Sequence, residues 1–197
     1  MALLGAGCGF ARWRVGLRHL LMAAALWAMT PMTSLAAAPA TSAEYQVKAV
    51  FLFNFAQFVE WPEQAFPSRQ APVVIGVWSG DPFGSYLDEL VRDEKIGARA
   101  MVVRRCRTVE EAAKCQIVFL GRSAGADEEP ALARLRGQPV LTVGESELFN
   151  RRGGIIRFVT ENGKIRVRIN IDAVQASRLT ISSKLLSSAT LVTTERD

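Results

Sequence analysis

PVVIGVWSGDPFGSYLDEL, Pro72 to Leu90, decides the fold. Its first eight residues are a continuous apolar run of strand length, followed by a Gly-Asp-Pro-Phe-Gly turn and a helical pattern. A strand apolar on both sides needs a layer of structure on each face. In the turn, Asp81 is placed to cap a helix whose first position is Pro82. That helix is expected to run through YLDELVRDEK to a stop at Gly97.

Downstream the alternation continues. ARAMVVRRC reads as a strand, TVEEAAK as a short helix and QIVFLG as a third strand. DEEPALARLRG is a helix with acids first and arginines last, as the macrodipole prefers, and QPVLTVG is a fourth strand. Strands alternating with helices predict a three-layer α/β fold with about four parallel strands between helical layers. IIRFVTENGKIRVRIN then breaks the pattern with two alternating runs around Asn162-Gly163, the signature of a two-residue hairpin. This register pairs Glu161 with Lys164, Val159 with Arg166, and Arg157 with Arg168. Ile156, Phe158, Thr160, Ile165, Val167 and Ile169 should face inward. INIDAVQASRL and SSKLLSSATLV read as two short helical pieces.

Upstream, KAVFLFNFAQFVEWP (Lys48–Pro62) belongs to a helix over Glu44–Val59 that ends because the residue before a proline leaves the helical region. On a 3.6-residue wheel Phe51, Leu52, Phe55, Phe58 and Val59 share the core face. Phe53 falls near Gln57 and Glu60, and Trp61 follows the helix. Exposed aromatics mark partner surfaces, so Phe53 and Trp61, with Glu60 beside them, are candidate partner-binding residues.

The first 36 residues read as an export signal. Arg12, Arg14 and Arg18 precede HLLMAAALWAM, an apolar core too short to span a bilayer, and TSLAAAPA supplies small residues for cleavage after Ala36. An uncleaved anchor is the alternative. Residues 37–43 read as a disordered leader, 44–192 as a single domain and 193–197 as a tail.

Cleavage leaves 161 residues with 21 basic against 19 acidic side chains, a balance that does not advertise nucleic-acid binding. It also removes His19, the only histidine, and Cys8. Without imidazole, the Gly-x-Ser-x-Gly stretch at Gly121–Gly125 has no partner to take the Ser123 proton, and a zinc site is not expected. Gly76, Gly80 and Gly84 lack the dinucleotide fingerprint and read as turn chemistry. No catalytic residue, metal or cofactor is expected. Cys106 and Cys115, nine residues apart, are either a disulfide suited to an oxidising compartment or two free thiols. Arg157 opposite Arg168, with Arg166 on the same face, is unfavourable unless a negative group lies there. Either the side chains fan into solvent, or the three arginines hold an anionic ligand or a carboxylate lid such as Glu60.

Taken in order, KAVFLFNFAQFVEWP, VIGVWSGDPFG, CQIVFLG, PVLTVGESELF, GGIIRFV and IRVRINIDAVQASRLTISSKLL resemble the YfiR family over about Tyr45 to Ala189. The resemblance implies a non-catalytic periplasmic protein, typically dimeric, that binds the periplasmic region of an inner-membrane diguanylate cyclase and represses cyclic-di-GMP synthesis and biofilm formation. A periplasmic accessory protein that senses a small anion or carboxylate for another membrane receptor is the alternative. Cys115 sits at a matching cysteine position. The loop ESELFNRRGG, where the family's namesake carries a second cysteine pair, has no cysteine here.

Overall fold

A computed structural model describes residues 42–195. The expected export signal over 1–36, with Cys8 and His19, lies outside the described residues, as do most of the expected leader and the last two residues of the tail.

The first helix, α1 (Ala43–Phe58), starts one residue inside that leader, with the Ser42 hydroxyl accepting from Tyr45 N at 3.5 Å. Leu52, Phe55 and Val59 are buried, each contributing about 1.5–3 kcal/mol by leaving water. Phe51 and Phe58, expected on the core face, are only half-buried, because Ala49 and Ala56 lie closer to the centre of the buried stripe. Ahead of Pro62 the chain turns extended, and β1 (Val59–Glu60) pairs antiparallel with β9 (Thr180–Ile181) in a two-stranded ribbon.

Six of the remaining strands form most of the main sheet: β2 (Val73–Trp78), β4 (Arg99–Cys106), β5 (Ile117–Leu120), β6 (Leu141–Gly144), β7 (Ile156–Glu161) and β8 (Lys164–Asn170). β3 (Lys95–Ile96) and β10 (Thr190–Val192) complete it, in the order β10-β8-β7-β6-β5-β2-β4-β3. All neighbours are parallel except β7–β8 and β3–β4. Alternate residues serve opposite layers. Val73, Ile75 and Val77 of β2, with Ile117 and Phe119 of β5, pack under α1 and α2 (Ser85–Val91). Val74, Val118 and Leu120 pack under α3 (Val109–Ala112) and α4 (Glu128–Leu135). The fold is the three-layer α/β arrangement read from the alternation of strands and helices.

The hairpin has the expected register at every pair from Ile156–Ile169 to Glu161–Lys164. Asn162 (φ 50°) and Gly163 (φ 72°) supply the two left-handed residues that its turn demands. Thr160, expected inward, is exposed because the tip runs past the core.

Several short elements depart from the expected pattern. The helix after the Asp81 turn begins at Ser85 and stops at Val91; Asp81 Oδ1 instead accepts from Phe83 N and Gly84 N, at 2.8 and 3.2 Å. Arg92–Lys95 offers no apolar anchor to prolong that helix, whereas Ile96, placed in β3, packs half-buried against the core. The C-terminal stretch forms α5 (Ile171–Ser177) and α6 (Ser183–Ser187), but Thr190–Val192 is strand, parallel to β8. Thr194 is then held by its N–H to Asp172 (3.0 Å) and by Asn170 Nδ2 to its hydroxyl (3.1 Å). No helix among the described residues is long and apolar enough to cross a membrane.

Candidate functional site

The topology opens one crevice by construction. β2 departs through α2 on one face of the sheet to reach β4. Its neighbour on the other side, β5, departs through a 3-10 segment (Arg122–Asp127) and α4 on the opposite face. Where adjacent parallel strands send their connections apart, a space is left beyond their carboxyl ends, the usual ligand position in open α/β sheets. Here it holds about 290 Å³, lined by Tyr45, Gly80, Asp81, Pro82, Gly121, Arg122 and Ser123. Ser79, at the exit of β2, has a left-handed φ of 59°, a conformation a serine adopts at some cost. The Ser123 hydroxyl donates to the Ser79 carbonyl and ties the two loops together.

Beneath the crevice lies a charged cluster. Lys48 is 1% exposed; its ammonium donates to Glu44 Oε1 at 2.5 Å and to Glu145, the residue after β6. The Glu145 side chain is itself 1% exposed. It also accepts from Tyr45 Oη (3.0 Å) and from the Arg122 main-chain N–H (3.2 Å). The Arg122 side chain is 68% exposed, and its guanidinium stands 3.7 Å from both Glu44 and Glu145. Two buried charges are tolerated because each is paired and hydrogen-bonded. The bond from Lys48 lowers the Glu44 carboxyl below its ordinary range.

Burial, reinforced by the Glu145 charge, pushes the Tyr45 phenol up to about 12. A group raised on folding contributes stability below its unfolded value and loses it as pH rises through the folded one, so this contact should give way only in strong alkali. Titration of phenolate absorbance should show one tyrosine ionising near pH 12. Glu145→Gln should move that midpoint down, because the repelling carboxylate is gone. An unchanged midpoint would mean that the Glu145 charge contributes nothing.

Phe53 is half-buried and packs against the core. Trp61 is also half-buried, its indole N–H donating to the Gln116 carbonyl at 3.1 Å. Glu60 is exposed in β1, opposite Thr180. Arg157 and Arg168 stand opposite each other, both half-buried, while Arg166 is exposed. Glu161 of the same hairpin brings a carboxylate to that face, 3.5 Å from Arg168.

Cys106 and Cys115 are unbridged thiols, both buried, with sulfurs 3.7 Å apart. Their hydrogen bond lowers the Cys106 pKa, with Arg104 adding to the effect, and together with burial raises that of Cys115. Gly76 is not a turn residue. It lies in β2 beneath the thiol pair, where a Cβ would come within 2.9 Å of Cys115 Sγ and 3.2 Å of Cys106 Sγ.

Sequence reasoning missed Tyr45, Lys48, Arg122 and Glu145. One signal was present: Lys48 lies in register with Leu52, Phe55 and Val59, a charge inside an apolar stripe. Among the described residues, no group of three or more His, Cys, Asp or Glu side chains could hold a metal ion.

The comparison with curated proteins finds no match to this chain. A family model described as YfiR/HmsC-like matches residues 45–190, from the first turn of α1 to the start of β10. The chain belongs to the YfiR/HmsC-like family.

Proposed function

We propose that this chain is a periplasmic regulatory protein that binds the periplasmic region of an inner-membrane diguanylate cyclase and holds cyclic-di-GMP synthesis down. The observation that carries the reading is the family match over residues 45–190, nearly all of the folded domain. Export through residues 1–36, with cleavage after Ala36, belongs to the same proposal. Repression requires no chemistry, only preference for the inactive state of the partner. A ~100-fold preference is worth about 2.7 kcal/mol, within the usual range of allosteric coupling.

The docking surface in this reading is the outer side of α1 and the β1 segment after it. Val47 and Val50 are 46% and 38% exposed on α1, with Phe53 on its flank and Glu60 and Trp61 beyond its end. Val47→Asp with Val50→Asp should release the cyclase and raise cellular cyclic-di-GMP several-fold, with the melting temperature near wild type, because neither side chain is buried. Phe53→Ser and Trp61→Arg should act in the same direction at some cost in stability. Unchanged cyclic-di-GMP with the folded valine double variant counts against this surface.

A second reading rests on Arg157 facing Arg168 beside Arg166. Like charges directly opposed are unfavourable, and an anion bound beside Glu161 would offset them further, so this hairpin face is the alternative seat of a small-anion sensor.

A further inference from the structure

We propose that the crevice between the exits of β2 and β5 binds a small carboxylate, with Arg122 as its anchoring cation. This goes beyond the regulatory reading and stands whichever membrane protein is the partner.

The argument follows where each charge around the crevice is already engaged. Asp81 accepts from Phe83 N, Gly84 N and, at 2.8 Å, Arg105 Nε. Glu145 accepts from Lys48, Tyr45 and the Arg122 main chain. Glu44 also accepts from Lys48. Arg122 differs from these groups. Its main chain is fixed by Glu145, yet its guanidinium meets Glu44 and Glu145 only at 3.7 Å and the side chain is 68% exposed. That distance lies beyond hydrogen bonding, so most of the planar fork remains open to a ligand.

Carboxylate geometry matches that fork in two parallel bonds. Lys48 and Arg122 balance Glu44 and Glu145, so an incoming anion meets no net repulsion from the cluster. The Tyr45 ring and Pro82 supply an apolar wall for a short carbon chain. The volume, about 290 Å³, sits at the lower limit of ligand pockets and suits a short carboxylate. The left-handed Ser79, tied to Ser123, keeps both loops in place before any ligand arrives.

The test is an amide NMR titration of the purified protein with acetate, glycolate, succinate and, separately, inorganic phosphate. Saturable shifts centred on residues 79–82 and 121–123 are expected with at least one carboxylate, and weaker ones with phosphate. Arg122→Ala should weaken that binding tenfold or more while leaving the remaining spectrum folded. The proposal is overturned if none of the three carboxylates gives saturable shifts there, or if phosphate binds as well as any of them. It also fails if affinity survives Arg122→Ala, or falls with Arg166→Ala on the hairpin instead.

Discussion

Lys48→Met is expected to cost about 3–5 kcal/mol, because it removes one partner of a buried ion pair and leaves the other charged. Methionine nearly matches the lysine stem in length, so the packing of Leu52 and Phe55 on the same stripe should survive. The loss arises at Glu145, whose side chain is 1% exposed and would retain only Tyr45 and Arg122 as partners. The second substitution Glu145→Gln should restore most of the stability, since the amide oxygen still accepts from the Tyr45 hydroxyl and the Arg122 N–H while the uncompensated charge is gone. Urea unfolding with an unchanged slope would separate this from a change in the denatured state. Among the described residues Arg122 is a second cation beside Glu145, at 3.7 Å, so Arg122→Ala should deepen the loss in the Lys48→Met background. A single-variant cost below about 1 kcal/mol would place Glu145 in contact with water and remove the premise of a dry cluster.

That cluster could not be read from the chain, and the reason is physical. Strand pairing and helix faces are local patterns of period two or 3.6, so the alternation of β2 to β6 and the hairpin register were legible residue by residue. The Lys48–Glu145 contact joins positions 97 residues apart. Its only trace is a lysine inside the apolar stripe of α1, without a mark on the glutamate that answers it. The short strands β3, β9 and β10 were illegible for a related cause. Two or three residues carry no periodicity, and Thr190–Val192 becomes strand only because β8 offers an edge. Gly76 shows the same limit from the opposite direction. Its glycine was visible, but its reason is the convergence of Cys106 and Cys115 from two other segments on one point of β2. Phe53 and Trp61 read from the sequence as aromatics left over from the core face, yet both are half-buried.

The loop Glu145–Gly154 carries the second large effect. No cysteine lies in this loop, so no disulfide can close it. What closes the loop is packing. Phe149 is fully buried between two glycines, and a Cβ on either Gly144 or Gly154 would approach its ring to 2.2 Å. Asn150 Nδ2 donates to the Gly154 and Ile155 carbonyls, each at 3.2 Å, and Gly154 N donates to Phe149 O at 2.9 Å. Phe149→Ala should therefore cost about 3–5 kcal/mol through lost burial and the cavity left behind. Gly144→Ala should destabilise by at least ~3 kcal/mol, at or above the usual cost of overpacking, because Gly144 sits between β5 and β7 and its backbone cannot retreat from the ring. The two losses should not add. With the ring removed, the new methyl enters the space it vacated, so the double variant should be more stable than the sum of the singles predicts by at least ~1 kcal/mol. A coupling near zero would show that the ring and the Gly144 backbone yield independently. A large coupling, unchanged by reductant, would identify close backbone approach as the constraint holding this loop, independent of the state of Cys106 and Cys115.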